Sequence, residues 1–492
     1  MKHFFTLLFV FSLNVVMAQQ WFYEYLCDDY EDVLFYHGDN SAEYDYAAGC
    51  YVNKILDECY PIAASFDDNG ICEDKVFELG GVNSMFSSVL GLGDGNAFVV
   101  AACGDSDTTA LNNRLWFAII DPNMEVVKEK SVCIEEPYVE FSTIAHGLIN
   151  NDNEIVFVTR VTDEFTQNSY KHYDYVFFKF DFACNLLKQS YLINPTMKSD
   201  VTDFVEVANT GCYAVFGDGM DETGMQNVNY IDSDFNHISM VFLEDVNSYP
   251  DLILPIRVSV DSWKNEDYFI MSAQTSKTTG VNFWRPIIVK MDKDMNIIDE
   301  LSLERLDTTD YVSQFRSLSY SDKDKFYVST HWDNGVANTS TIYLINDKLE
   351  LLGRKTIGFD ENYYGFHSHS TSDGDCFSQG VIRNDNHART VFYRIKSNDF
   401  EMETDVTDDD DVDFDCYPNP VSSVLNIDVD SYLNKKSHIV FVDMLGRRYL
   451  DKEVFLDGNV LKVDVSSLDP GTYHYTIIID DKNVVKNKFV KQ

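Results

Sequence analysis

His367 and His369, in Phe366-His367-Ser368-His369-Ser370, are the residues best spaced to do chemistry. Side chains two apart on a strand share a face, so both imidazoles could hold one metal ion with Asp373 or Asp375 nearby. Two histidines without a located third ligand are more often polar or channel-facing side chains, and that reading is preferred. Asp218, Asp221 and Glu222, in Gly217-Asp218-Gly219-Met220-Asp221-Glu222, could hold calcium at a loop tip, although a solvated acidic loop is the plainer interpretation in so acidic a chain. No other metal or cofactor is expected. Motifs for acyl transfer, zinc hydrolysis and phosphate binding (Gly-x-Ser-x-Gly, His-Glu-x-x-His and Gly-x-x-x-x-Gly-Lys) do not occur. A glycosidase needs two carboxylates at a defined separation, which spacing along the chain does not supply.

Recognition leaves more candidates. Trp116, Trp263, Trp284 and Trp332 fall near strand ends or loops, where tryptophan can anchor an interface; core packing is the alternative for each. The ten cysteines are even in number and include no Cys-x-x-Cys pair, which favours disulfides in an exported chain over zinc or redox chemistry. Cys27, Cys50, Cys59 and Cys72 cluster early in the chain and could staple it in three pairings. Cys103, Cys133, Cys184, Cys212 and Cys376 fall on expected strands or turns, as small apolar side chains would.

The elements that must position these residues are strands. The chain has 492 residues, a net charge of −43 and 14% aromatic side chains, enough apolar material for a large core and far too acidic for a broad phosphate-binding face, so no nucleic acid is expected. Between residues 19 and 404 a hairpin recurs in which an apolar strand meets an Asp or Asn turn and a second strand comes after it. Its anchors are Asp67, Asp121, Asp181, Asp232, Asp292, Asn346 and a seventh near Lys396. Earlier strand pairs such as Ala97–Ala102 with Val89–Leu92 precede them. The expected body is an all-β propeller of about seven four-stranded blades, or six, because radial repetition buries both faces of short sheets. A stack of β-sandwich modules is the competing arrangement. Residues 21–60 show no clear strand pair. Only at the level of this repeat geometry does the body resemble β-propeller proteins.

The two ends are addresses. Residues 1–18 place Lys2 before a short apolar run ending in Val16-Met17-Ala18, a secretory signal peptide with cleavage expected after Ala18. No later stretch is apolar enough to span a membrane. Residues 405–415 form an acidic linker, and residues 416–492 balance ten acidic against ten basic side chains. Alternating strands there predict a small C-terminal β-sandwich. Tyr417-Pro418-Asn419-Pro420-Val421, Leu425-Asn426-Ile427, Asp443-Met444-Leu445-Gly446-Arg447, Leu468-Asp469-Pro470-Gly471-Thr472-Tyr473 and Lys488-Phe489-Val490-Lys491 occur in that order. With these motifs the segment resembles the type A sorting domain of the type IX secretion system. The resemblance implies recognition by that machinery through such residues as Pro418, Asn419, Pro420, Gly446, Arg447, Gly471, Tyr473, Lys488 and Lys491. It also implies passage across the outer membrane, and usually removal of the domain with attachment of the body to surface lipopolysaccharide.

The expected function is therefore that of a secreted or surface-displayed propeller binding a protein or glycan partner. The alternative is an extracellular polymer-degrading hydrolase or lyase with its site in the propeller funnel, for which His331, His367 and His369 are the first positions to check.

Overall fold

The computed structural model describes residues 19–25, 31–81, 83–104, 112–163, 174–193, 199–207, 210–219, 227–242, 259–262, 268–275, 285–303, 310–312, 318–320, 325–332, 339–358, 362–383, 388–400, 416–428, 436–443, 448–455, 460–479 and 483–492. The signal peptide and the acidic linker lie outside them. The chain separates into two compact units, Met1–Glu401 and Met402–Gln492.

The first unit begins with β1 (Gln19–Glu24), which pairs with none of the strands of blade 1. Blade 1 is β2 (Glu31–Ser41), β3 (Tyr44–Asn53), β4 (Glu58–Asp67) and β5 (Gly70–Val76). Blade 2 is β6 (Met85–Gly91), β7 (Ala97–Cys103), β8 (Arg114–Ile120) and β9 (Val126–Cys133), and blade 3 is β10 (Glu140–Ile149), β11 (Ile155–Thr162), β12 (Asp174–Phe180) and β13 (Leu186–Leu192). Blade 4 contains β14 (Ser199–Val207), β15 (Cys212–Gly219), β16 (Asn227–Ile231) and β17 (His237–Phe242), and blade 5 contains β18 (Ser259–Ser262), β19 (Tyr268–Thr275), β20 (Arg285–Asp292) and β21 (Ile297–Ser302). Blade 6 splits its first strand into β22 (Asp310–Val312) and β23 (Leu318–Tyr320), followed by β24 (Lys325–Trp332), β25 (Thr339–Asn346) and β26 (Leu351–Gly358). Blade 7 has β27 (Asn362–Ser370), β28 (Cys376–Arg383) and β29 (Ala388–Ile395), and its outermost strand is β1.

The first strands of successive blades touch in a closed ring, with β27 returning to β2. This closure makes the body a seven-bladed propeller and excludes both a six-bladed ring and a linear stack. Each blade-to-blade junction holds its own apolar core, such as Phe98, Phe117, Phe157 and Phe178 between blades 2 and 3. Strand β7, Ala97–Cys103, is buried along its whole length while outer strand β9 is almost wholly exposed. Sequence alternation is correspondingly weak in the middle strands, which are rich in β-branched and aromatic residues.

The recurring turns have one physical design. The side-chain oxygen of Asp121 accepts hydrogen bonds from the amides of Asn123 (3.0 Å) and Glu125 (2.8 Å), and Asp181, Asp232, Asp292 and Asn346 do the same two and four residues on. The residue three beyond each anchor (Met124, Cys184, Phe235, Met295 or Leu349) takes φ between 58° and 65°. That conformation costs a non-glycine residue about 1–2 kcal/mol. It also drops each side chain into the core shared with the preceding blade, and burying a large side chain contributes about 1.5–3 kcal/mol.

Two expectations from the sequence need correction. The seventh anchor is not a hairpin: a short 3-10 helix η1 (Ser397–Asp399) comes after β29, and Phe400 fills the core position that the left-handed residue occupies elsewhere. Among the described residues the fourth strand of this blade is β1. Residues 21–60, lacking an obvious pair, form most of β1, all of β2 and β3, and the start of β4.

In the second unit, β30 (Cys416–Tyr417), β31 (Val424–Asp428) and β34 (Val460–Asp464) form one sheet. The other orders β33 (Arg448–Phe455), β32 (Lys436–Asp443), β35 (Gly471–Ile479) and β36 (Asn483–Lys491). Leu425, Ile427, Ile439, Phe441, Tyr475 and Phe489 belong to the core of this sandwich. Among the described residues no helix is long and apolar enough to cross a membrane.

Candidate functional site

A cluster of ionisable side chains lies where the ring closes. His367 and His369 do share a face of β27, opposite Gln379 and Phe377 in register, and both are buried against blade 1. The Nε2 of His369 lies 3.1 Å from Oδ1 of Asp45, and the Nε2 of His367 lies 3.2 Å from Nδ1 of His369. With a proton on each Nε2, the two rings donate along one line that ends on the carboxylate. Asn40 Nδ2 donates to the same Asp45 oxygen at 3.0 Å. Gly38 lets β2 pass: a Cβ there would lie 3.0 Å from His367 Cδ2 and from His369 Nδ1.

Arg394, 3% exposed, supplies the opposing charge. Its guanidinium lies 2.7 Å from Asp68, 2.9 Å from Asp373, 3.5 Å from Asp45 and 4.0 Å from Asp375. Burial pushes the Asp373 carboxyl up, but the Thr371 hydroxyl bond and the Arg394 charge outweigh it and hold the group below the ordinary carboxylate range. Burial leaves Asp375 above that range. Strand β1 completes the seam, with Glu24 paired to Arg389 at 2.5 Å and the Tyr25 amide donating to Thr390 at 2.9 Å.

This arrangement is a lock between blades 7 and 1 rather than a reaction centre, because its histidines and Asp45 are sealed from solvent. Asp373 and Asp375 turn to Arg394 instead of converging on the imidazoles. Among the described residues no group of three His, Cys, Asp or Glu side chains could hold a metal ion. Asp221 and Glu222 lie outside those residues, and Asp218 is placed only as part of β15.

The aromatic candidates divide. Trp116 is no surface anchor: it is buried in the core between blades 1 and 2, its Nε1 donating to Glu129 at 2.7 Å. Trp332 and His331 end β24, opposite Asp310 and Tyr311. Trp263 and Trp284 lie outside the described residues. Sequence reasoning missed Asp45 and Arg394 because the two stand 349 positions apart; a buried charge inside an apolar strand was the available signal.

In the second unit the Pro-Asn-Pro motif is fastened to the last strand. Asn419 donates through Nδ2 to the carbonyl of Lys488 at 3.3 Å and accepts from the Val490 amide at 2.8 Å. Both prolines, Pro418 and Pro420, follow cis peptide bonds. The Val421 amide donates to the Val490 carbonyl, and Gln492 donates back to Val421. Tyr473 stacks on Phe489 with centroids 5.6 Å apart and donates its hydroxyl to the Asp469 carbonyl. Gly471 opens β35 opposite Lys491, and Lys488 pairs with His474. Gly446 and Arg447 lie outside the described residues.

Residues 415–492 match the family described as secretion system C-terminal sorting domain. The C-terminal unit is a sorting domain. It marks the chain for export by the type IX route to the cell surface or extracellular space and for contact with that machinery. Among curated proteins none matches the chain. The body has remote structural neighbours. The β-propeller domain of the Trilobed protease from Pyrococcus furiosus aligns with TM-score 0.41 and 10% identity over 77% of this chain and 94% of its own. Exo-β-1,3-galactanase from Phanerochaete chrysosporium gives TM-score 0.34 and 10% identity over 70% and 95%. Puromycin hydrolase gives 0.42 and 8% over 72% of this chain, which spans 59% of that enzyme. Likeness this remote says nothing of ligand or activity; the propeller assignment rests on the sheet order and ring closure, and the sorting domain alone fixes the destination.

Proposed function

We propose that the propeller body works outside the cell as a binding scaffold for a protein or glycan partner, engaged through one face of the ring. The division between the two faces carries this reading. Turns joining first to second and third to fourth strands are mostly short and tied by Asx bonds, as at 121–125, 181–185 and 232–236. Connections from second to third strand, and from one blade to the next, leave the opposite ends of the strands and include 104–113, 163–173, 243–258 and 276–284. Variable loops on a rigid scaffold are where recognition concentrates. Trp332 and His331 end β24 on the side that these connections leave, and Trp284 falls in the sequence between β19 and β20, which supports giving them a part in binding. The whole net charge of −43 falls upstream of the neutral sorting domain, which favours basic or cationic partners at low salt.

The test uses the purified secreted protein against a panel of polysaccharides and extracellular proteins that includes cationic members. A bound member should lose affinity as salt rises from about 0.01 to 1 M, where the Debye length falls from about 30 to 3 Å. Trp332→Ala or Trp284→Ala should weaken it about thirtyfold, as loss of a hot-spot aromatic does. Phe182→Ala, at an exposed turn of the opposite face, should leave affinity unchanged. Weakening by Phe182→Ala alone would move the site to the other face.

A further inference from the structure

Of the nine cysteines described, all stand as thiols, and two face each other. Cys50 lies in β3 and Cys59 in β4, where the register pairs Cys50 with Pro61 and Val52 with Cys59. Cys50, Val52 and Cys59 therefore point from one face of the blade, the cysteines on a diagonal two pairs apart, about 7–8 Å at ordinary geometry, so that closing the bond draws the hairpin in by about 1 Å. Both belong to a small apolar cluster with Leu34, Val381 and Ala388. The Tyr36 hydroxyl lies 4.0 Å from Cys50 Sγ. A hydrogen bond from Cys59 and a second from Tyr36 hold the Cys50 thiol below its ordinary range, while that shared bond and burial push Cys59 up. Other pairs fare worse. Cys103 and Cys133 sit on either side of Arg114, two strands apart, about 9.6 Å at ordinary strand spacing and beyond disulfide reach.

We infer that Cys50 and Cys59 form a disulfide in the exported protein, a covalent staple across the middle hairpin of blade 1. The oxidant is a disulfide-bearing exchange protein of the cell envelope, where thiols do not persist. The half-buried Cys59 sulfur attacks that disulfide, forming a mixed disulfide and releasing one thiolate of the oxidant. Cys50 Sγ then attacks Cys59 Sγ and expels the second thiolate. Two electrons pass to the oxidant, which becomes a dithiol, and the two cysteine protons leave to water or the released thiolates. Formation before blade 7 packs on blade 1 gives the buried Cys50 access to its partner. Either cysteine lost leaves the other unable to pair within the cluster.

Mapping the secreted full chain tests this directly. The protein is denatured and alkylated without reductant, then cut before aspartate. Cleavage at Asp45, Asp57 and Asp67 places Cys50 and Cys59 alone on peptides 45–56 and 57–66. The expected result is one linked species of these two peptides, unalkylated, that separates on reduction. Cys50→Ser should abolish it and leave Cys59 fully alkylated. Both peptides alkylated in the unreduced wild type would overturn the inference. So would linkage of Cys50 or Cys59 to Cys27 or Cys72.

Discussion

Arg394→Met should lower the unfolding free energy of the body by about 3–5 kcal/mol, the cost of stranding a buried charge whose partner is removed. The stranded group is Asp45, fully buried, whose remaining hydrogen-bond neighbours are Asn40 and His369. Solvent does not screen this pair, unlike Asp68 and Asp373, which lie mostly exposed at the rim. Asp373→Asn should therefore cost less than about 1 kcal/mol. Denaturant titration of the two variants measures the difference. Equal midpoints would mean that the seam owes its stability to β1 pairing and apolar contact instead.

Gly91→Ala should cost about 3 kcal/mol or more, at or above the upper end of overpacking. A Cβ on Gly91 would fall 1.8 Å from the Asn40 carbonyl oxygen and 2.9 Å from the Ser41 nitrogen. Both obstacles are backbone, so no rotamer change relieves them. The contact is also held from the other side: the Gly91 amide donates to Asp39 at 3.0 Å, and Gly93 and Gly95 donate to the Ser41 hydroxyl. Moving β6 away would break these bonds between blades 1 and 2. Gly93→Ala meets no atom within 4 Å and should cost only about 1–2 kcal/mol, from its positive φ. Thermal or chemical unfolding of the pair separates steric from conformational cost; similar midpoints would show that the blades can part without loss.

These two positions show what the sequence could and could not disclose. The turn anchors at Asp121, Asp181, Asp232 and Asp292 were legible because an Asx turn is a local device whose donors lie within four residues. Their left-handed partners Met124 and Met295 were not, since their burial depends on the preceding blade. His367 and His369 were correctly placed on one face by simple alternation. Their partner Asp45 was hidden because only ring closure brings β27 to β2. Blade 1 resisted reading for the same reason: Asp39, Asn40 and Asp45 interrupt its apolar pattern and are satisfied by residues from other blades or across a hairpin. Strand β1 gave no hint of a partner, its hydrogen bonds being made to β29 at the far end of the body. The sorting domain was the opposite case, with its motifs and strand partners all inside one short segment.

The central claim is that the sorting domain delivers a propeller whose own surface does the work outside. Fractionation of cells expressing either the full chain or a chain ending at Asp415 tests it most directly. The account predicts that the full chain reaches the surface or medium while the shortened chain stays in the periplasm as a folded, protease-resistant body. Equal export of the two would contradict it, and would make the C-terminal sandwich part of the working protein.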